Sequence, residues 1–413
     1  MASGPRRVVV TGMGAVCALG NDIAQTWAAA RDGRGAIAPH LFDPGPNGPA
    51  PHTTPVALVN GDIVGLAETT LGRRIGASLD PFALYALLTC HQALTQSGLM
   101  GAEVLKTRSA VVLGHGFAGI QTLELSYERF YGQKSARVHP LTVPRVMVSA
   151  PVSAVAMEFC VRGPVFAVSS ACSSSGHAIA QAAALITSGQ VDVALAGGSE
   201  AIATPACLRA WEGLQAMSPT TCRPFSRDRD GMVIGEGGGA LVLEALDHAE
   251  ARGAPIIAEL AGIGLSSDAF HLTQPSLEGA VSAMTAACAQ AGVLDGRPVL
   301  ISAHGTGTPL NDANEAAAIH AVFEATWKTQ PVIATKSAHG HLIGAASVIQ
   351  GVIGLMALKE AVAPPILNWL GEDPHCDLNL MLAPATPIAA RSLLLNAFAF
   401  GGLNTALVFT LPD

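Results

Sequence analysis

The chain has 413 residues, 50% of them hydrophobic and only 13% charged, with a net charge of -8. That length fits two average domains or one large double one, and so few charges point to extensive burial between two halves or in an oligomer interface. The acidic balance, without a Lys/Arg run or an aromatic platform, excludes nucleic acid as the main ligand; the eight scattered cysteines form no CxxC pair and no zinc spacing, and read as reduced thiols of a cytoplasmic protein with no structural metal.

At the N-terminus only three valines separate Arg7 from Thr11, too short an apolar run for a signal peptide. Residues 7–20 read as a strand entering a glycine turn, and residues 22–31 as a helix. Gly12 and Gly14 suggest a dinucleotide loop, but Cys17 stands where the third glycine belongs, so a structural role is the better account. Residues 39–55, rich in Pro, Gly, His and Asn, read as an exposed loop. Residues 80–98 read as a helix and residues 109–119 as a strand and turn. The latter match G-x-G-x-x-G by letter but lack the acidic residue about twenty positions on, so they read as a turn lining a pocket. Residues 148–160 form an apolar helix.

The next stretch, VFAVSSACSSSGHAIAQAAALITSGQVDVALAGG, organises the chain. Four apolar residues, a run of small ones, then Ala and Ile at helical spacing predict a buried strand, a tight turn and a buried helix stopped by Ser188 and Gly189. Cys172 then sits at the start of that helix, facing unpaired backbone N–H groups and the positive end of the dipole. A free thiol titrates at about 8.5 and is lowered in such places, so Cys172 is expected to be a nucleophile at neutral pH.

After a buried strand with a glycine turn (191–201), residues 211–236 are irregular and charged. The Gly235 to Gly239 run lacks the Lys-Ser/Thr of a phosphate loop and reads as close backbone packing. A strand at 240–244, a helix near Asp247, a strand at 256–265 and a helix at 279–291 follow. From there the strand–helix alternation repeats that of the first half, with strands at 299–303, 332–334, 393–396 and 405–410 and helices at 311–323 and 342–360. An α/β protein of two similar halves, 1–255 and 256–413, is expected. Residues 341–357 are apolar enough to raise a membrane span, but Ser347, Gln350 and many small residues favour a buried central helix and no membrane span.

Three more stretches follow short apolar strands, where α/β proteins place their sites: SAHGTGTPLND (302–312), ATKSAHGHLIGAA (334–346) and NAFAFGGLN (396–404). With Ser170-Ala171-Cys172 in front of them, their order and spacing resemble the elongating beta-ketoacyl-acyl-carrier-protein synthases of the thiolase superfamily over nearly the whole chain. The resemblance implies a thiolase-like five-layered α/β/α/β/α fold of two related halves, a homodimer or heterodimer with a related subunit, and acyl carrier protein as partner. It implies no cofactor of its own, the substrates riding on the carrier's phosphopantetheine, and no metal. It also implies that Cys172 takes the acyl chain, that His304 and His341 hold the malonyl thioester carbonyl as its carboxylate leaves, and that Lys336 orients them. The N–H groups of Cys172 and Phe400 would form an oxyanion hole, with Phe398 and Phe400 in a gating loop. Thr306 and Thr308 would bind phosphopantetheine, Asp268 and His271 would stand at the entrance, and Phe117 would line the far end of the acyl pocket.

Several positions depart from the pattern. Ala399 and Leu403 stand where relatives often have Gly and Thr, and Gln350 where they often have Glu. Residues 71–80 keep Arg73 and Arg74 but are less basic than carrier-docking relatives, and His339 has no assigned role. A thiolase would need a second cysteine in residues 396–404, and there is none. A papain-like signature around Cys172 is also absent. A length-determining, non-catalytic subunit generally lacks the nucleophile, so Cys172 argues against it; a ketosynthase paired with such a Cys-less subunit stays open, as do fatty acid and polyketide or polyene products.

Overall fold

Ten strands form the main sheet of the computed structural model, which describes residues 6–46 and 48–412. From edge to edge they are Val332–Ile333, Val299–Ser302, Ser392–Ala399, Leu403–Thr410, Ala258–Ser267, Val8–Cys17, Gly237–Ala245, Val193–Glu200, Ser109–Gly114 and Val165–Val168. Among the described residues, Val9 with Glu259 and Val10 with Ala258 pair the fifth strand with the sixth. On each side of that seam lie five strands, and counted along the chain both sets run in the order 3-2-4-5-1. In both, the first three are parallel and the last two antiparallel. The repeat expected from the alternation of elements is therefore present in topology without identity of letters.

Parallel neighbours need a crossover helix. In the first half it is Ser174–Thr187, in the second Ala346–Glu360, and the two pack on each other and on strands of both halves. Pro81–Ser97 and Leu277–Ala291 cover the outer faces. The result is the expected α/β/α/β/α stack. Twelve of the fifteen residues of Ala346–Glu360 are buried, so this helix is apolar on all sides because protein surrounds it on all sides. Residues Ile343–Glu360 are long and apolar enough to cross a membrane by length and composition, and 83% of that window is buried inside the protein.

Gly12 and Gly14 lie inside the first strand, not in the turn expected there. A Cβ on them would stand 2.1 Å from the Ala93 carbonyl oxygen and 2.0 Å from that of Thr89. In the second half Gly262 and Gly264 approach the carbonyl oxygens of Ala287 and Ala283 in the same way, at 2.1 and 1.8 Å. Each half thus uses a G-x-G strand so that its outer helix can pack directly on backbone. Gly264→Ala forces that helix outward and is expected to cost about 1–3 kcal/mol, read as a lower denaturant midpoint at unchanged slope.

Two other expectations change. Residues 39–55 are not a plain loop: Ala38–Phe42 and His52–Ala57 pair antiparallel, and the second strand pairs with Ile234–Gly235. Val165–Val168 is not buried but is the edge of the large sheet, with Phe166 38% exposed. A four-residue apolar run does not distinguish a central strand from an edge one.

Candidate active site

The 3-10 turn Ala171–Ser173 joins the edge strand to the helix Ser174–Thr187. Ser174 accepts from the Ser170 N–H at 2.9 Å and donates to the Ala171 carbonyl at 2.7 Å. Ser173 donates to the carbonyls of Ala397 and Leu403, at 3.0 and 2.7 Å, so the turn is fastened to the strand ends of the other half. Those bonds hold Cys172 buried beneath the segment 399–403, with the backbone N–H groups of Cys172 and Phe400 both directed at its sulfur.

His304 follows the strand Val299–Ser302, and His341 follows the short helix Lys336–His339. The structure brings both to Cys172: the sulfur and one ring nitrogen of each histidine lie within 4.8 Å of one another, and the imidazoles meet edge to face with centroids 5.5 Å apart. His341 Nδ1 accepts from the Ile343 N–H at 3.2 Å, which places its proton on Nε2. Lys336 Nζ lies 3.4 Å from His304 Nδ1 and, as a donor-only ammonium, leaves His304 with its proton on Nε2 as well. Burial first, then the Lys336 charge, holds both imidazoles well below their ordinary pKa. They are neutral N–H donors. A metal ion on this Cys-His-His set would need both Nε2 atoms as acceptors, against the tautomers their neighbours impose, so the cluster fits an oxyanion better than a cation.

Lys336 is completely buried. Its ammonium donates to the His304 carbonyl and to Gln350 Oε1, each at 2.5 Å, while the Gln350 amide donates to the Ala303 carbonyl at 2.5 Å. A glutamate could accept from Lys336 but could not make that last bond, so the departure at Gln350 leaves both ends of the side chain satisfied. Burial pulls Lys336 down to about 8, opposed by Glu315.

One expectation about Cys172 fails. The helix terminus was expected to favour the thiolate, but burial outweighs it and pushes the thiol up to about 11, although Lys336 and the two N–H groups act in the lowering direction. Below that value the thiolate fraction grows tenfold per pH unit. Alkylation of Cys172 by iodoacetamide, followed on its own peptide, is therefore expected to keep rising by about tenfold per unit from pH 7 to pH 9. A plateau near neutrality would contradict the burial argument.

A cavity of about 520 Å³ opens onto Cys172, His304 and His341, and is lined by Thr306, Thr308, Phe398, Phe400 and Asp268 among others. The Thr306 and Thr308 hydroxyls bond each other at 2.9 Å, and Phe398 stands edge to face with His304 at 6.2 Å. Asp268 accepts from the Ser276 N–H at 2.9 Å and from Asn404 at 2.6 Å, and its own N–H donates to the Gly402 carbonyl at 2.8 Å. Gly401 donates to the Leu272 carbonyl at 2.7 Å, so the segment 268–272 holds the Phe400 turn.

His271, expected at the entrance, is exposed between the lining residues Asp268 and Leu272, and its ring accepts from the N–H groups of Thr273 and Gln274, at 3.1 and 3.2 Å. Phe117 is absent from the cavity lining; its ring centroid lies 6.0 Å from that of Trp211, which lines it. His339 is buried and bonds Thr335 at 2.9 Å.

Three residues escaped the sequence reading. Glu315 accepts from the N–H groups of His304 and Gly305, at 2.7 and 2.8 Å, and from Asn396 at 3.1 Å. Glu200 accepts from the N–H groups of Gly116, Phe117 and Gly344, at 2.7, 3.3 and 3.0 Å. Both carboxyls are buried and raised by it, Glu200 to about 8 and Glu315 to about 7. An acidic residue ending the apolar run VALAGGSE was a signal for Glu200; nothing local marked Trp211.

Comparison with known proteins agrees with this geometry. Residues 5–249 match the family described as "Beta-ketoacyl synthase, N-terminal domain", and residues 257–369 the family described as "Beta-ketoacyl synthase, C-terminal domain". The chain is 42% identical to Nodulation protein E of Rhizobium sp. (strain N33), covering 98% of this chain and 99% of that protein. It is 33% identical to 3-oxoacyl-[acyl-carrier-protein] synthase 2 of Staphylococcus aureus (strain COL), covering 98% of each. Among solved structures, the ishigamide ketosynthase/chain length factor superposes with a TM-score of 0.91 at 30% identity, over 99% of this chain and 100% of that one. With both family domains in order around one Cys-His-His site, the chain belongs to the beta-ketoacyl synthase family.

Proposed function

We propose that this protein is an elongating beta-ketoacyl-acyl-carrier-protein synthase, acting on thioesters carried by acyl carrier protein in the cytoplasm. The observation that carries the reading is the pair of neutral imidazoles, each with its Nε2–H turned to the space beside a buried cysteine. The eight free cysteines support a reducing compartment.

In the first step Cys172 sulfur bonds to the acyl carbonyl carbon, the carrier thioester bond breaks, and the thiol proton ends on the departing pantetheine sulfur. The N–H groups of Cys172 and Phe400 hold the oxyanion. In the second step malonyl thioester enters the cavity, its arm beside Thr306 and Thr308. The bond to its carboxylate breaks, carbon dioxide leaves, and the electron pair becomes an enolate whose oxygen accepts from His304 and His341. Donors aimed in advance at that charge are worth several kcal/mol. The enolate carbon then attacks the acyl-Cys172 carbonyl, and collapse releases the 3-oxoacyl product and the Cys172 thiolate, which regains a proton. Lys336 acts by fixing the His304 tautomer, and Glu315 by holding its backbone.

The test is to mix purified protein with acyl- and malonyl-acyl carrier protein and weigh the carrier-bound products. A 3-oxoacyl product two carbons longer than the primer supports the reading, and malonyl loss without condensation defeats it.

A related subunit is the second part of the reading, because one face is left apolar. In the segment between the strands Ser109–Gly114 and Val165–Val168, the latter the open edge of the sheet, Tyr127, Phe130, Tyr131, Val143, Met147 and Met157 are each 49–74% exposed. An open strand edge and exposed apolar side chains are suited to a second chain of the same fold. A second copy gives a homodimer and a Cys-less relative a heterodimer; the native mass of the protein expressed alone separates them.

A further inference from the structure

The two halves carry matching turns in front of their central helices. In the first, Ala171 lies at φ 49° before Cys172; in the second, Ile343 lies at φ 44° before Gly344. A positive φ is an outlier for a β-branched residue, and it persists only where the surroundings hold it. Here it has a use: in that conformation the Ile343 N–H donates to His341 Nδ1 at 3.2 Å, the bond that keeps the His341 proton on Nε2.

What holds the turn is one oxygen. Glu200, buried at the end of the strand Val193–Glu200, accepts with Oε2 from the Gly344 N–H at 3.0 Å and from the Gly116 N–H at 2.7 Å, while Oε1 takes the Phe117 N–H at 3.3 Å. Gly116 and Gly344 belong to different halves, and a Cβ on either would break the approach. On Gly116 it would stand 2.9 Å from Oε2, and on Gly344 2.2 Å from the Gly116 nitrogen. In the first half the N–H after the left-handed residue is that of Cys172 and points at the sulfur; in the second half the matching N–H is taken by Glu200. An oxygen of this kind has two lone pairs, so Oε2 can accept both bonds whether or not the carboxyl is ionised. None of the bond-making steps above uses Glu200.

We propose that Glu200 is a positioning residue for decarboxylation: its Oε2 clamps Gly344, Gly344 keeps Ile343 left-handed, and Ile343 fixes the His341 tautomer, as Lys336 fixes that of His304. This rests on the reading above in which His341 donates to the enolate oxygen. Without the clamp the turn relaxes and the Ile343 N–H leaves Nδ1. His341 is then free to carry its proton on Nδ1, with no donor left at Nε2. Acyl transfer to Cys172, which does not use His341, is spared.

The test takes two rates from each variant: loss of carbon dioxide from malonyl-acyl carrier protein, and acylation of Cys172 by acyl-charged carrier followed by intact mass. Their ratio cancels any loss of folded protein. Glu200→Ala is expected to lower decarboxylation relative to acylation by about 10- to 100-fold, the cost typical of removing a residue that orients a functional histidine. Glu200→Gln keeps an acceptor oxygen and is expected to recover most of the ratio. In the His341→Ala background Glu200→Ala is expected to lower it no further, because a residue that acts through His341 has nothing left to position. Should Glu200→Ala not fold, Glu200→Asp, which draws the carboxyl back by one methylene, is expected to show the same loss. A wild-type ratio in Glu200→Ala or Glu200→Asp, a Glu200→Gln no better than Glu200→Ala, or an equal further loss in the His341→Ala background overturns the proposal. If His341→Ala itself leaves decarboxylation unchanged, the enolate reading falls and this inference with it.

Discussion

Cys172→Ala is expected to abolish condensation, lowering it by roughly 10⁴- to 10⁶-fold, the range found when the nucleophile of a covalent mechanism is removed. Without the sulfur no acyl group is held, and the enolate formed beside His304 and His341 has nothing to attack. The change is small in volume, and a buried free cysteine packs much as a small apolar residue does. Cys172 is 6% exposed in an apolar cluster with Ile202, Met232 and Ile343, so the variant is expected to fold and to keep the cavity. Two masses decide the matter: that of the protein after incubation with acyl carrier protein, which should rise by one acyl group in wild type and not in the variant, and that of the condensed product. Condensation that survives the alanine change would remove the nucleophile assignment.

What the sequence disclosed and what it withheld follow from the range of the forces involved. Cys172, His304, Lys336 and His341 were legible because each sits in a short motif just after an apolar strand, and strand ends converge on one side of an α/β fold. Local reading failed where distant chain decides. The helix terminus argued for a Cys172 thiolate, but burial comes from Ser173 being fastened to the carbonyls of Ala397 and Leu403 in the other half. Pro and Gly in residues 39–55 hid two strands whose partner, Ile234–Gly235, lies far along the chain. Trp211 meets Phe117 and Phe400 only in the fold, and no spacing in the sequence joins the three.

His304→Ala and His341→Ala are each expected to slow malonyl decarboxylation by about 10²- to 10³-fold, the cost of removing one donor from an oxyanion site, or about 2.7–4 kcal/mol. The two losses should not add, because both donors serve one oxygen. His341→Asn, which keeps a side-chain N–H, is expected to recover part of the rate that His341→Ala loses. The pH dependence separates donation by neutral imidazole from donation by imidazolium. Both histidines are buried beside Lys336 and each other, with His339 close to His341, and their pKa lies well below 6.5. A depressed pKa means that the neutral form persists as pH falls through the usual histidine range, so neither imidazole should contribute an acid limb near 6.5, whereas Lys336, at about 8, and Glu315, at about 7, can shape the profile above it. An acid limb with its midpoint near 6.5 that vanishes in either alanine variant would show that an imidazole titrates in place, and the pair of neutral donors would have to be given up.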